Sequence, residues 1–120
     1  MLALKSVFAG KDDIDTVIYD EVDTGISGAT SERIGQRLRY TANGCQVIAI
    51  THSAQVAAQA DNHILVYKKD VDGRTQTFCR TLDEKERVDE LSRIIGGVRI
   101  TKKVTDTAEE MLKKKNKPDN

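Results

Sequence analysis

An α/β fold follows from three features of the sequence. Two short β-branched runs, residues 16–19 and 46–50, each end in polar residues and flank a stretch of helical period. That succession of strand, helix and strand marks a parallel sheet. A second pair of β-branched runs is joined by Asp72-Gly73, the dipeptide of tight hairpins. Two further amphipathic stretches close the chain. The prediction is a mainly parallel sheet with a C-terminal β-hairpin and flanking helices.

The elements follow in order. Residues 1–9 are almost all apolar apart from Lys5 and Ser6. A helix that is hydrophobic all round needs burial on every side, so the opening reads as the middle of a longer protein, with Met1 an internal methionine. Gly10-Lys11-Asp12-Asp13 ends it. The Thr16-Val-Ile-Tyr run reaching Asp20-Glu21 has the pattern of a buried parallel strand. Asp23-Thr24-Gly25-Ile26-Ser27-Gly28 is a loop by composition, and Ser27 or a near neighbour is suited to cap the next helix. Ile34, Leu38 and Ala42 recur every four residues, so that helix is amphipathic and reaches about Thr41.

Residues 46–50 form a second buried strand, with Thr51-His52-Ser53 at its carboxyl end. Residues 54–60 are a short alanine-rich helix, 63–67 a third strand and 75–81 a fourth, antiparallel to the third. Asp83 with Glu86 three residues on makes a capping box. Val88, Leu91, Ile94 and Ile95 line the helix that follows, which Gly96-Gly97 closes. The last helix, 101–115, carries Val104, Ala108, Met111 and Leu112 on one face. The domain therefore spans 1–115, and 116–120 is expected to be a disordered tail.

Composition narrows the function classes. A length of 120 residues fits one domain or a large piece of one. With 32% charged residues and no apolar run near the ~18 residues of a spanning helix, no membrane role is expected. Lys5 arrives too early for a signal peptide, so the expected compartment is the cytoplasm. The 19 basic and 19 acidic residues cancel, against a broadly basic nucleic-acid surface. Aromatics make up only 4%, with no Trp, so stacking on bases is not the obvious mode. Cys45 and Cys79 follow no metal-ligand spacing and read as small core thiols of a reducing compartment.

The chemistry gathers at the two strand ends. A strand delivers Asp20 and Glu21 to its carboxyl end, where open α/β sheets place their ligands. Asp20 suits Mg²⁺, a hard cation that prefers oxygen donors and keeps several waters. Glu21 is placed to polarise a water for attack on a phosphoryl group. Parallel neighbours bring their carboxyl ends together, so His52 is expected beside Glu21, to bond a phosphate oxygen or orient the water. His63 reads as structural.

Thr16 to Gly28 together with the Ile50-Thr-His-Ser-Ala-Gln-Val-Ala-Ala-Gln-Ala-Asp61 run resemble the carboxyl-terminal ATPase lobe of the RecN family, bacterial DNA-repair relatives of the structural-maintenance-of-chromosomes (SMC) proteins. Residues 1–5, 82–88, 95–97 and 107–112 are also similar to that family, so the resemblance covers nearly the whole chain. It implies a partial P-loop NTPase lobe of an ABC-type ATPase head. Asp20 then matches the Walker B aspartate, acting on Mg²⁺ through water. Glu21 matches the catalytic glutamate and His52 the switch histidine that senses the γ-phosphate. Thr24, Gly25, Ile26 and Ser27 match the D-loop, which crosses to a partner's site. The implied cofactors are ATP and Mg²⁺. The implied partners are the N-terminal lobe of the same protein, a second ATPase head in a homodimer, and DNA through the full-length protein. The implied setting is bacterial, cytoplasmic and nucleoid-associated, in double-strand-break repair and recombination.

The departures matter equally. No Gly-x-x-x-x-Gly-Lys-Ser/Thr loop and no Leu-Ser-Gly-Gly signature occur in the chain. The resemblance implies that the Walker A strand belongs between the strands at 46–50 and 63–67, leaving a vacancy in the sheet, and that the isolated chain is inactive. Two alternatives stand beside this reading. One is a non-catalytic structural or dimerisation lobe of an SMC-like protein. The other is a receiver-type phosphoacceptor domain, with Asp20 as acceptor, Thr51 at the next strand end and Lys68 or Lys69 beyond the third.

Overall fold

The computed structural model describes residues 16–21, 25 and 27–115. The order is β1 (Thr16–Asp20), α1 (Gly28–Thr41), β2 (Gln46–Ile50), α2 (Ala54–Ala57), β3 (Ile64–Val71), β4 (Arg74–Thr81), α3 (Glu84–Gly96) and α4 (Lys102–Lys115). The apolar opening and the tail beyond 115 lie outside the described residues.

β1 and β2 pair in parallel, from Thr16 opposite Gln46 to Asp20 opposite Ile50. α1 is the crossover that a parallel connection requires. β3 and β4 pair antiparallel, from Ile64 opposite Thr81 to Val71 opposite Arg74. Asp72 at φ 51 and Gly73 at φ 76 supply the two left-handed residues of a primed turn, which matches strand twist. The two pairs are separate sheets among the described residues. The expectation of a mainly parallel sheet is thus corrected: the parallel part is a five-residue pair, and the eight-residue hairpin is the longer ladder.

The strands are not buried on both faces. Val17, Tyr19, Val47 and Ala49 pack with Ile34 and Leu38 of α1 and Val56 of α2. On the opposite face Ile18, Ile48 and Ile50 are exposed, because the described helices pack on one side alone. In α1, Leu38 is buried as expected, but Ala42 is the exposed C-cap and Ser31, Gly35 and Thr41 complete the inward face. Gly35 lets α1 and α2 touch: a Cβ there would stand 2.9 Å from Gln59 Cγ and 3.1 Å from the Gln55 carbonyl oxygen.

α2 spans four residues rather than the seven expected, and it serves two cores. Val56 belongs to the cluster behind the sheet. Ala54, Ala57 and Ala58 pack with Leu91 of α3 and Ala108 of α4, flanked by Val88, Ile94, Met111 and Leu112. Ile95 turns outward instead of joining that face. Both halves of the capping box form: Asp83 Oδ1 accepts from the Glu86 N–H at 2.8 Å, and Glu86 Oε2 from the Asp83 N–H at 2.9 Å. Neither thiol is a core residue; Cys45 is half-buried and Cys79 lies exposed on the hairpin.

A buried arginine was not legible beforehand. Arg87 is 6% exposed and donates to the carbonyl oxygens of Ala57, Ala60 and Asp61, at 3.5, 2.8 and 3.4 Å. Arg39 donates to Gln59 O at 3.0 Å. Together they tie down the carbonyls at the end of α2 and in the turn that follows it.

Candidate functional site

Parallel pairing in register sends both strands out of the same sheet edge, so Glu21 and Thr51-His52 leave side by side. The Glu21 N–H donates to Ile50 O at 2.9 Å, one ladder bond beyond β1. Glu21 then turns into the left-handed region at φ 50. A non-glycine residue there costs about 1–3 kcal/mol and recurs at functional sites. The turn aims its carboxylate at His52, with Nε2 3.6 Å from Oε1. That spacing is an ion-pair distance when the imidazole is protonated and is too long for a hydrogen bond. Both side chains are open to solvent, 88% exposed for His52 and 56% for Glu21.

Asp20 is exposed at the last rung of the ladder, opposite Ile50. An acid at that position is a hard oxygen donor, and a single carboxylate is a common protein contribution to Mg²⁺, whose other ligands are waters and phosphate oxygens. Among the described residues no group of three or more His, Cys, Asp and Glu forms a ready-made metal cage. The donor set therefore fits Mg²⁺ held mainly by other ligands and does not fit a closed protein site.

The four positions that the resemblance matches to a D-loop divide. Thr24 and Ile26 lie outside the described residues. Gly25 adopts φ 75, which favours glycine. Ser27 is the N-cap of α1 by backbone geometry, but its side chain makes no capping hydrogen bond. Its Oγ stands 3.2 Å from Thr30 Oγ1 instead, and the Ser27 carbonyl receives the first helical bond from Ser31 at 2.9 Å.

The support behind His52 was missed by sequence reasoning. Thr51 Oγ1 accepts from the Ser53 N–H at 2.9 Å, and Ser53 caps α2 through the Val56 N–H. Serine ahead of an alanine-rich run was the available signal. Gln55 of α2 in turn meets Gly28 at the start of α1, where a Cβ would lie 3.2 Å from Gln55 Nε2. The residues after the histidine and the end of the glycine loop are therefore neighbours. Lys68 and Lys69 lie within the hairpin, which among the described residues is a sheet separate from that of Asp20. A groove of about 510 Å³ lies elsewhere, between α3 and α4, lined by Val88, Thr105 and Leu112 among others.

No protein-family model matches the chain. The curated DNA repair protein RecN of Halalkalibacterium halodurans is 44% identical over 93% of this chain and 20% of its own length. The DNA repair protein RecN of Bacillus subtilis is 43% identical over 94% of the chain and 20% of its length. That of Rickettsia conorii is 41% identical over 93% and 21%. The chain spans about one fifth of the length of the curated relatives it matches.

Proposed function

We infer, for a chain that belongs with the RecN DNA repair proteins over nearly its whole length, that it is the carboxyl-terminal lobe of an ABC-type ATPase head acting in bacterial double-strand-break repair and recombination. It supplies the Walker B acid, the D-loop and the switch histidine to a site that other parts of the protein complete. The observation that carries this reading is the placement of Glu21 and His52 3.6 Å apart at one strand edge, next to Asp20.

The residues divide the work by their chemistry. Glu21 in its carboxylate form accepts the proton of an attacking water. Its backbone turn, fixed by the bond to Ile50 O, holds the carboxylate clear of the strand. His52 presents Nε2 to the same space and donates to phosphate oxygen or holds the water against Glu21. Asp20 would hold Mg²⁺, which when bound neutralises phosphate charge. ATP itself needs a phosphate cradle from outside these 120 residues, since the chain has no such loop. Gly25 and Ser27, with Thr24 and Ile26, belong to the segment that would reach a second head. Among the described residues no helix is long and apolar enough to cross a membrane, and a cytoplasmic, nucleoid-associated setting is proposed with the rest.

Substitutions at these positions in a RecN-length protein test the reading. Glu21→Gln should lower ATP turnover by about 10²–10⁴-fold while nucleotide binding persists. His52→Ala should reduce turnover as well. Unchanged turnover in Glu21→Gln would favour the non-catalytic structural or dimerisation lobe.

A further inference from the structure

No residue of β3 or β4 is buried, so both faces of the hairpin reach solvent. Side chains alternate between those faces, and the register sorts them by chemistry. Arg80, Tyr67 opposite Phe78, Lys69 opposite Gln76, and Arg74 beside the turn follow one another along one face. Asp70 lies on the other face, where its carboxylate accepts from Thr75 Oγ1 at 2.7 Å. Lys68 is on that other face too, and the remaining acid, Asp72, forms the turn. Cations and rings are thus collected on a face that holds no strand acid.

For the chain as a whole, a net charge of zero and few aromatics count against a nucleic-acid surface. The fold concentrates what there is. Of three tyrosines and two phenylalanines, Tyr67 and Phe78 stack here with ring centroids 5.7 Å apart, and Tyr67 is 37% exposed. Glu86 of α3 pairs with Arg80, whereas Lys69 and Arg74 form no ion pair with a described residue. Free cations beside a partly open ring suit a polyanion that also offers flat faces. A single-stranded nucleic acid is such a ligand, since its phosphates meet cations while its bases stack on aromatic side chains. A duplex keeps its base faces inside and shows only edges in its grooves. Eight residues per strand at ~3.4 Å each make a ribbon of roughly 27 Å, long enough to follow several nucleotides.

We propose that the face of the hairpin bearing Tyr67, Phe78, Lys69 and Arg74 binds single-stranded nucleic acid. Lys69 and Arg74 take phosphates, and Tyr67 stacks on a base. Asp20, Glu21 and His52 lie at the end of the other sheet, so this surface stands independently of the ATPase reading.

Fluorescence anisotropy of a labelled oligothymidine of about 20 nucleotides, titrated with this chain between ~50 and ~200 mM salt, tests it. Lys68 and Lys69 make the sharpest comparison, being neighbours of equal charge on opposite faces. Lys69→Ala should flatten the dependence of log affinity on log salt by about 0.7, and Lys69→Ala with Arg74→Ala by about 1.4. Lys68→Ala should leave that slope unchanged. Tyr67→Ala should weaken binding roughly five- to hundredfold. Because it also removes the stacking on Phe78, Tyr67→Phe is the check on folding: it keeps the ring and should bind like the parent chain. Glu21→Gln should bind like the parent as well, whatever it does to turnover. Equal effects of Lys68→Ala and Lys69→Ala would overturn the assignment to this face, and no binding at ~50 mM salt would overturn the proposal outright. Equal affinity for the matching duplex, or unaltered binding by Tyr67→Ala, would overturn the stacking role.

Discussion

The two cores of the molecule are built to different standards. Behind the helices, Leu91 and Ala108 are fully buried between α2, α3 and α4, and a buried arginine ties the turn after α2. Behind the strand ends, Tyr19, Leu38 and Val56 make a core with one side only, and the opposite sheet face is open. Among the described residues the helical half closes on itself, whereas the half that carries Asp20, Glu21 and His52 leaves one sheet face exposed. α2 belongs to both, so the residues after the histidine are braced by the stronger core.

This contrast can be broken by mutation. Leu91→Ala should give the largest loss, in the upper part of the about 2–5 kcal/mol range for buried leucines, with Leu38→Ala in the lower part. Thermal or denaturant unfolding measures both, and the reverse order would dissolve the distinction. Arg87→Met should cost about 2 kcal/mol, because three carbonyls lose a charged donor. Arg87→Lys should recover only part of that, since an ammonium cannot span them as a guanidinium does. Gly35→Ala should cost about 1–3 kcal/mol by forcing α1 from α2; a neutral effect would mean that the two helices are loosely coupled.

Asp83→Ala should remove about 1 kcal/mol with its cap, and the strand-end half should not feel it. The smallest effect is a pH dependence. Burial holds the His63 imidazole below its usual range, with Arg87 adding to the shift and Glu90 opposing it. The unfolded chain therefore takes up a proton first as pH falls. Stability should be level above about pH 6.5 and decline below it toward the folded pKa. Melting curves between pH 7.5 and 5.5 should show that decline, and His63→Gln should flatten it.

Much of this was readable from residues. The hairpin followed from Asp72-Gly73, α3 from its capping box, and the meeting of Glu21 with His52 from two parallel strand ends. Burial was harder to read. A run such as Val-Ile-Tyr or Val-Ile-Ala describes a strand made for two covered faces, and the pattern cannot say that the described helices pack on one face alone. Arg87 was illegible for a related reason: arginine is ordinarily a surface residue, and its burial follows from carbonyl oxygens of the α2 end and the turn after it, which only the fold brings to its guanidinium. Cys79 erred in the opposite sense, because its partner across the ladder, Val66, faces solvent with it.

On the proposed ATPase reading, the catalytic acid and histidine belong to this chain and the phosphate cradle does not. Mg²⁺-dependent ATP hydrolysis by this chain alone, and by the chain set within a RecN-length protein, tests it most directly. Turnover should appear only in the long protein and vanish with Glu21→Gln. Turnover by the 120-residue chain alone would contradict it.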